Sequence, residues 1–180
     1  MNNSIKKLVF ILLSLTLVLS LCGCTNFAKQ KALEEYLDVF SEDSAQWDVL
    51  GEVADDIRDS SRTAIMVSKI QKNVVPEIAT LIEKGEKRNA EITDPEIRAI
   101  DDHYLEMTKK MKSGFELLAE GINQNSIAKV NLAKDEINVA ADEAKGFIDE
   151  LDAYTTRYDI RTTDALDELR NEIYRLQSLK

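Results

Sequence analysis

The sequence predicts an all-α fold: an antiparallel up-down four-helix bundle with a short extra helix after it. Two observations carry that prediction. Pro76 and Pro95 are the only prolines in the chain, and five glycines follow residue 23. Apolar residues recur at steps of three and four for most of the length, the spacing that lines one face of a 3.6-residue helix. The alternative is a three-helix arrangement with a long, kinked first helix.

The chain opens on a segment of a different kind. Lys6 and Lys7 form a short positive stretch, Leu8 to Leu21 is apolar, and Leu21-Cys22-Gly23-Cys24 closes it. As a helix the apolar part measures roughly 21 Å against a hydrocarbon core of about 30 Å, too short for a comfortable span. Its ending resembles the lipobox of bacterial prolipoproteins: an aliphatic residue, a loosely constrained position, Gly or Ala, then Cys. The resemblance implies cleavage between Gly23 and Cys24, a diacylglyceryl thioether on Cys24, and a mature protein held at the extracytoplasmic face of the cell membrane by lipid. Cys22 fits the modified position badly, because bulky Leu21 precedes it. Loss of residues 1–23 as a signal peptide removes Cys22 and leaves one lipidated cysteine, which excludes disulfides, a reactive thiol and cysteine metal sites.

The helices follow in order. Leu33, Leu37, Phe40, Trp47, Leu50, Ala54 and Ile57 form a first stripe, and Met66, Ile70, Val74, Ile78 and Leu81 a second, ending at Lys84 and Gly85. The weak helix formers Asp59-Ser60-Ser61-Arg62-Thr63 separate them, which predicts a tight turn. Pro76 sits inside the second pattern, so a kink is expected in the turn before it. The third helix is marked by Ile97, Ile100, Tyr104, Met107, Met111, Phe115 and Leu118. Thr93-Asp94-Pro95-Glu96 opens it with a cap residue, a first-turn proline and an acid at the positive helix end. Gly121 is expected to close it in a Schellman-type stop, with Ile122 folding back on Leu117. Asn125 or Ser126 starts the fourth, whose buried face is expected to be Val130, Ala133, Ile137, Ala141, Ala144, Ile148 and Leu151. The bundle is thus expected over 24–157. Residues 158–180 carry a short amphipathic face, Ala165, Leu166, Leu169, Ile173 and Leu176, too short to persist without docking on the bundle or on a partner.

From Val74 to Leu151 the chain resembles a group of small lipoproteins common in Gram-positive bacteria. The matching features are "VVPEI", the Tyr-centred "IDDHYLEM", "GFELLAEGI", a short Asn-containing turn and an alanine-rich last helix. The resemblance implies a four-helix bundle behind a lipobox and implies no active site.

Charge and chemistry narrow the function. From residue 24 onward there are 21 basic and 33 acidic residues, a net charge of −12. Such a surface argues against nucleic acid and against lying flat on anionic headgroups. His103 is the single histidine, which rules out paired-imidazole metal sites, and Ile100 stands where a Glu-x-x-His motif needs Glu. Asp102, His103 and Glu106 lie close enough on one helix to bind a divalent ion weakly, while the plainer reading is a partly solvated histidine beside the Ile100/Tyr104 face. No Gly-x-Ser-x-Gly elbow or phosphate-cradling glycine loop exists. Asp55-Asp56 and Asp101-Asp102 are adjacent, hence about 100° apart on a helix, and are read as solvated surface. Trp47 is read as core. The resulting expectation is a non-catalytic protein with no metal and no cofactor, its partners being membrane lipid through Cys24 and a protein of the cell envelope. A ligand-sensing or carrier bundle acting with a membrane partner is the alternative. Lys84, Lys87 and Arg88 are expected to form a basic cluster in a loop at 85–93, at the anchor-side end.

Overall fold

The computed structural model describes residues 26–43, 46–47, 49–50 and 63–160. The signal segment with Gly23 and Cys24, residues Ala54, Asp55, Asp56 and Ile57, the expected turn Asp59–Thr63 apart from Thr63, and the helix expected over 158–180 apart from its first three residues lie outside the described residues. Among the described residues four helices pack together. The first, α1, is helical over 26–40 and tightens into a 3₁₀ turn at Ser41–Asp43, with helical residues again at 46–47 and 49–50. The second, α2, covers 63–91; α3 is Pro95–Asn123 and α4 is Ile127–Arg157.

The helices run up, down, up, down. Lys84 on α2 bonds to Glu42 and Gln46, and Arg88 to Asp43, while Leu50 packs on Val74, Ile78 and Leu81. Rising numbers on one helix thus meet falling numbers on the other. An antiparallel pair cannot be one kinked rod, so the three-helix alternative is ruled out. The pairings of Gly146 with His103 and Gly121 with Val130 show the same reversal between α3 and α4.

Pro76 leaves its mark as expected in position, with a particular form. Ile70–Val74 is a π-helical turn, in which the Val75 N–H bonds back five residues to the Ile70 carbonyl. Pro76 has no N–H to complete the regular ladder, and the widened turn lies immediately before it. Helix α2 then continues past Gly85 to Glu91, six residues beyond the expected stop. Gly85 does not reverse the chain, since no glycine among the described residues has positive φ. It leaves room instead: a Cβ there would stand 3.2 Å from Leu105 Cδ1. The connection to α3 shrinks to 92–94, and Asp94 caps α3 by accepting from the Glu96 and Ile97 N–H groups at 2.9 and 3.3 Å.

Gly121 likewise lies within α3. The Schellman stop comes four residues later, with Asn125 at φ 50° as the left-handed residue. The Ser126 N–H reaches the Gly121 carbonyl at 2.8 Å, and the Asn125 N–H reaches Ile122 at 3.2 Å. Ser126 then caps α4, its hydroxyl accepting from the Lys129 N–H. The same device ends α4. Asp159 has φ 51°, the Ile160 N–H bonds to the Thr155 carbonyl, and Ile160 folds back on the core.

The largest cluster of the core joins α1, α3 and α4. Phe40, Tyr104 and Phe147 meet at its centre, with ring centroids 4.7 to 6.0 Å apart. A second cluster, Leu50, Val74, Ile78 and Leu81, lies between α1 and α2, and a small third one, Val67, Ile70 and Ala119, sits at the far end. On α4 the buried face includes Ala133, Ala140, Ala144, Phe147, Ile148, Leu151 and Tyr154. Val130 and Ile137, expected inside, are each 36% exposed, and Ala140 rather than Ala141 is buried. Along that half α4 meets α3 through Gly114 and Gly121, where backbones approach closely and long side chains are pushed outward.

Candidate functional site

A charged network is buried among the described residues. Arg88 on α2 lies between two carboxylates: Nη1 donates to Asp43 Oδ2 and Nε to Asp101 Oδ1, each at 2.8 Å. Side-chain exposure is 5% for Arg88, 1% for Asp43 and 0% for Asp101. Tyr36 O–H donates to Asp101 at 3.1 Å, Tyr104 O–H to Asp43 at 3.0 Å, and Trp47 Nε1–H to the Tyr104 oxygen at 3.0 Å. The guanidinium also lies over the Phe40 and Tyr104 rings, 5.1 and 5.0 Å from their centroids.

Each group's protonation follows from this setting. Burial opposes the Arg88 charge, yet the attraction of Asp101 and the bond to Asp43 outweigh it and hold its pKa above the ordinary value. Burial pushes the Asp101 carboxyl up, and Arg88 offsets only part of that push. Burial, joined by a neighbouring carboxylate in each case, raises Tyr36 and Tyr104 well above the usual phenol range. Both phenols therefore stay protonated and keep donating. Arg88 Nη2 and Asp101 Oδ2 are buried without a hydrogen-bond partner.

This network corrects two expectations. Asp101 is not solvated surface: only its neighbour Asp102 is exposed. Arg88 is not part of a basic surface cluster, and Lys84 is tied to α1, which leaves Lys87 exposed on its own. Tyr36, Asp43 and Arg88 are the residues that sequence reasoning missed. Each stood on the apolar lattice of its own helix, Tyr36 and Asp43 around Phe40, and Arg88 seven residues after Leu81 with Gly85 between them. Trp47 does pack against the core, as expected.

His103 is partly solvated at 32% side-chain exposure, with Nδ1 2.6 Å from Glu143 and Nε2 3.5 Å from Glu150 across the α3–α4 seam. Burial lowers its pKa, but the two carboxylates raise it by more. Its ring rests on Gly146, where a Cβ would fall 2.9 Å from Cε1. Asp102, His103, Glu106 and Glu143 border an open hollow of about 400 Å³, with Leu105 and Lys109. Among the described residues no group of three or more His, Cys, Asp or Glu side chains is arranged to hold a metal ion.

A latch closes the bundle at the α2–α3 connection. Lys29, in the first described turn of α1, bonds to Asp94 and Glu96 at 2.8 Å each, and its ammonium lies over the Tyr154 and Tyr158 rings. Tyr154 O–H donates to the Lys29 carbonyl at 3.0 Å, and Arg157 pairs with Glu96. Lys29 also holds Glu96 below its ordinary carboxylate range. The start of α1 is thereby fastened to the α2–α3 connection and the end of α4. Among the described residues no helix is long and apolar enough to cross a membrane. No known protein family matches the chain, and neither a curated protein nor a solved structure matches it.

Proposed function

We propose that this protein is a lipid-anchored helical-bundle module of the cell envelope, held to the membrane through Cys24 and acting by binding a protein partner rather than by catalysis. The observation that carries the reading is the Leu21-Cys22-Gly23-Cys24 sequence closing a short apolar stretch behind Lys6 and Lys7. Two structural features support it. Helix is already present at residue 26, two positions after Cys24 in the sequence. The Lys29 latch then makes the 92–94 connection and the end of α4 the anchor-side end. Arg88, Asp43, Asp101, Tyr36 and Tyr104 hold one another in a packed interior between the helices, which favours an interaction module over a ligand-sensing bundle.

Metabolic labelling with an alkyne fatty acid tests the anchor. The protein should take up label, Cys24→Ser should abolish it and slow processing, and Cys22→Ser should change little. Label that survives Cys24→Ser and disappears with Cys22→Ser would overturn the assignment.

A further inference from the structure

Nine large apolar side chains lie exposed among the described residues, and five of them, Ile127, Val130, Leu132, Ile137 and Val139, fall on the first half of α4. Val130 and Ile137 have a reason to be there: they lean on Gly121 and Gly114 of α3. Leu132, 54% exposed, and Val139, 40% exposed, do not. At about 100° per residue they share a flank beyond Glu136 and Glu143, which reach α3 at Lys110 and His103. Bordering them on the solvent side are Asp135 and Asp142, exposed and without an ion pair among the described residues. The result is an apolar strip one heptad long, about 10 Å, between two acidic columns.

We propose that this strip is a docking site for a basic amphipathic helix of a partner protein. Its apolar face would cover Leu132 and Val139, and its lysines or arginines would meet Asp135 and Asp142. Charge selects that occupant. A second copy of this chain would bring the same acidic columns against each other. An anionic bilayer repels them too, and the strip stands roughly 27 to 38 Å along α4 from the anchor-side end. The surface gives the partner of the proposed function its chemistry. It rests on that reading for location alone, because the binding belongs to the bundle and not to the lipid.

The test uses the full chain in phosphatidylcholine nanodiscs and a fluorescein-labelled three-heptad peptide with Leu at its core positions and Lys on both flanks. Anisotropy should show saturable binding that weakens as salt rises. Leu132→Ser with Val139→Ser should weaken it by about tenfold or more, with the thermal melt unchanged because both positions are exposed. Asp135→Asn with Asp142→Asn should weaken it several-fold and flatten the salt dependence. Equal binding by the double-serine variant, or by a peptide with Glu in place of Lys, would overturn the proposal. So would a concentration-dependent dimer that Leu132→Ser converts to monomer, which would assign the strip to a second copy. Loss of fatty-acid label on Cys24→Ser tests the anchor separately, so the two readings fail by different measurements.

Discussion

The two halves of the bundle are built on different principles. The half beside the α2–α3 connection is held by large rings and buried charge: Phe40, Tyr104 and Phe147 around the Arg88 network. The far half is held by close approach, with Ala119 and Ala133 buried and Gly114 and Gly121 bringing two backbones together. Large side chains bury more apolar surface per residue, whereas small ones gain by proximity and tolerate no added atom. The first half should therefore be sensitive to truncation, and the second to enlargement.

The largest expected effects lie in the first half. Phe147→Ala should cost about 3–5 kcal/mol in chemical denaturation, as should Arg88→Ala, which would leave two carboxylates buried without their cation. Phe115, only partly buried between the two smaller clusters, should cost less when cut to Ala, about 1–3 kcal/mol. Equal losses at Phe115 and Phe147 would break the comparison.

Gly114→Ala probes the opposite sensitivity. The new Cβ would lie 2.7 Å from Ile137 Cγ1 and 3.2 Å from the Ala133 carbonyl, so the helices must part. A loss of about 1–3 kcal/mol is expected, where an alanine in an open helix would stabilise. A gain in melting temperature would show that the seam is looser than its spacing indicates.

A smaller, conditional effect belongs to His103. Its folded pKa is raised, and an unfolded histidine titrates near 6.5. Its stabilisation is thus complete below about pH 6.5 and is lost as pH rises through the folded value. Melting temperature should fall over that interval in the native protein, and His103→Gln should remove this component of the fall. The smallest expected effect is Lys109→Ala, an exposed partner of Glu86, within about 0.5 kcal/mol.

How much of this could be read from the sequence differs between the halves too. Helix number, order and the Asp94 cap were legible, and the cap of α4 was narrowed to Asn125 or Ser126, because apolar phase and cap chemistry are local. Gly85 and Gly121 misled, because a glycine that ends a helix and one that admits a neighbour look alike until the neighbour is placed. The Arg88 network was hidden by residue type. Charged side chains are read as surface, although Asp43, Arg88 and Asp101 all kept phase with the buried residues around them. Phase was the better guide there, and it would have needed α2 to run on past Gly85. The distal face of α4 was overestimated for the converse reason: Val130 and Ile137 have the right phase, but the glycines opposite leave them little depth to fill.

The buried triad also constrains how this sequence can change over generations. Losing any one of Asp43, Arg88 and Asp101 strands the others in the interior at a cost of several kcal/mol, on the order of a small domain's whole stability margin. Replacing all three by apolar residues of matching volume is not penalised in that way, provided Tyr36 and Tyr104 find new acceptors or give up their hydroxyls. Descent by single steps must therefore cross a deep valley, while the surface around it drifts freely. Related chains are expected to keep the three positions together or to have exchanged them as a set, and a chain carrying Arg88 with neither aspartate should prove to fold differently.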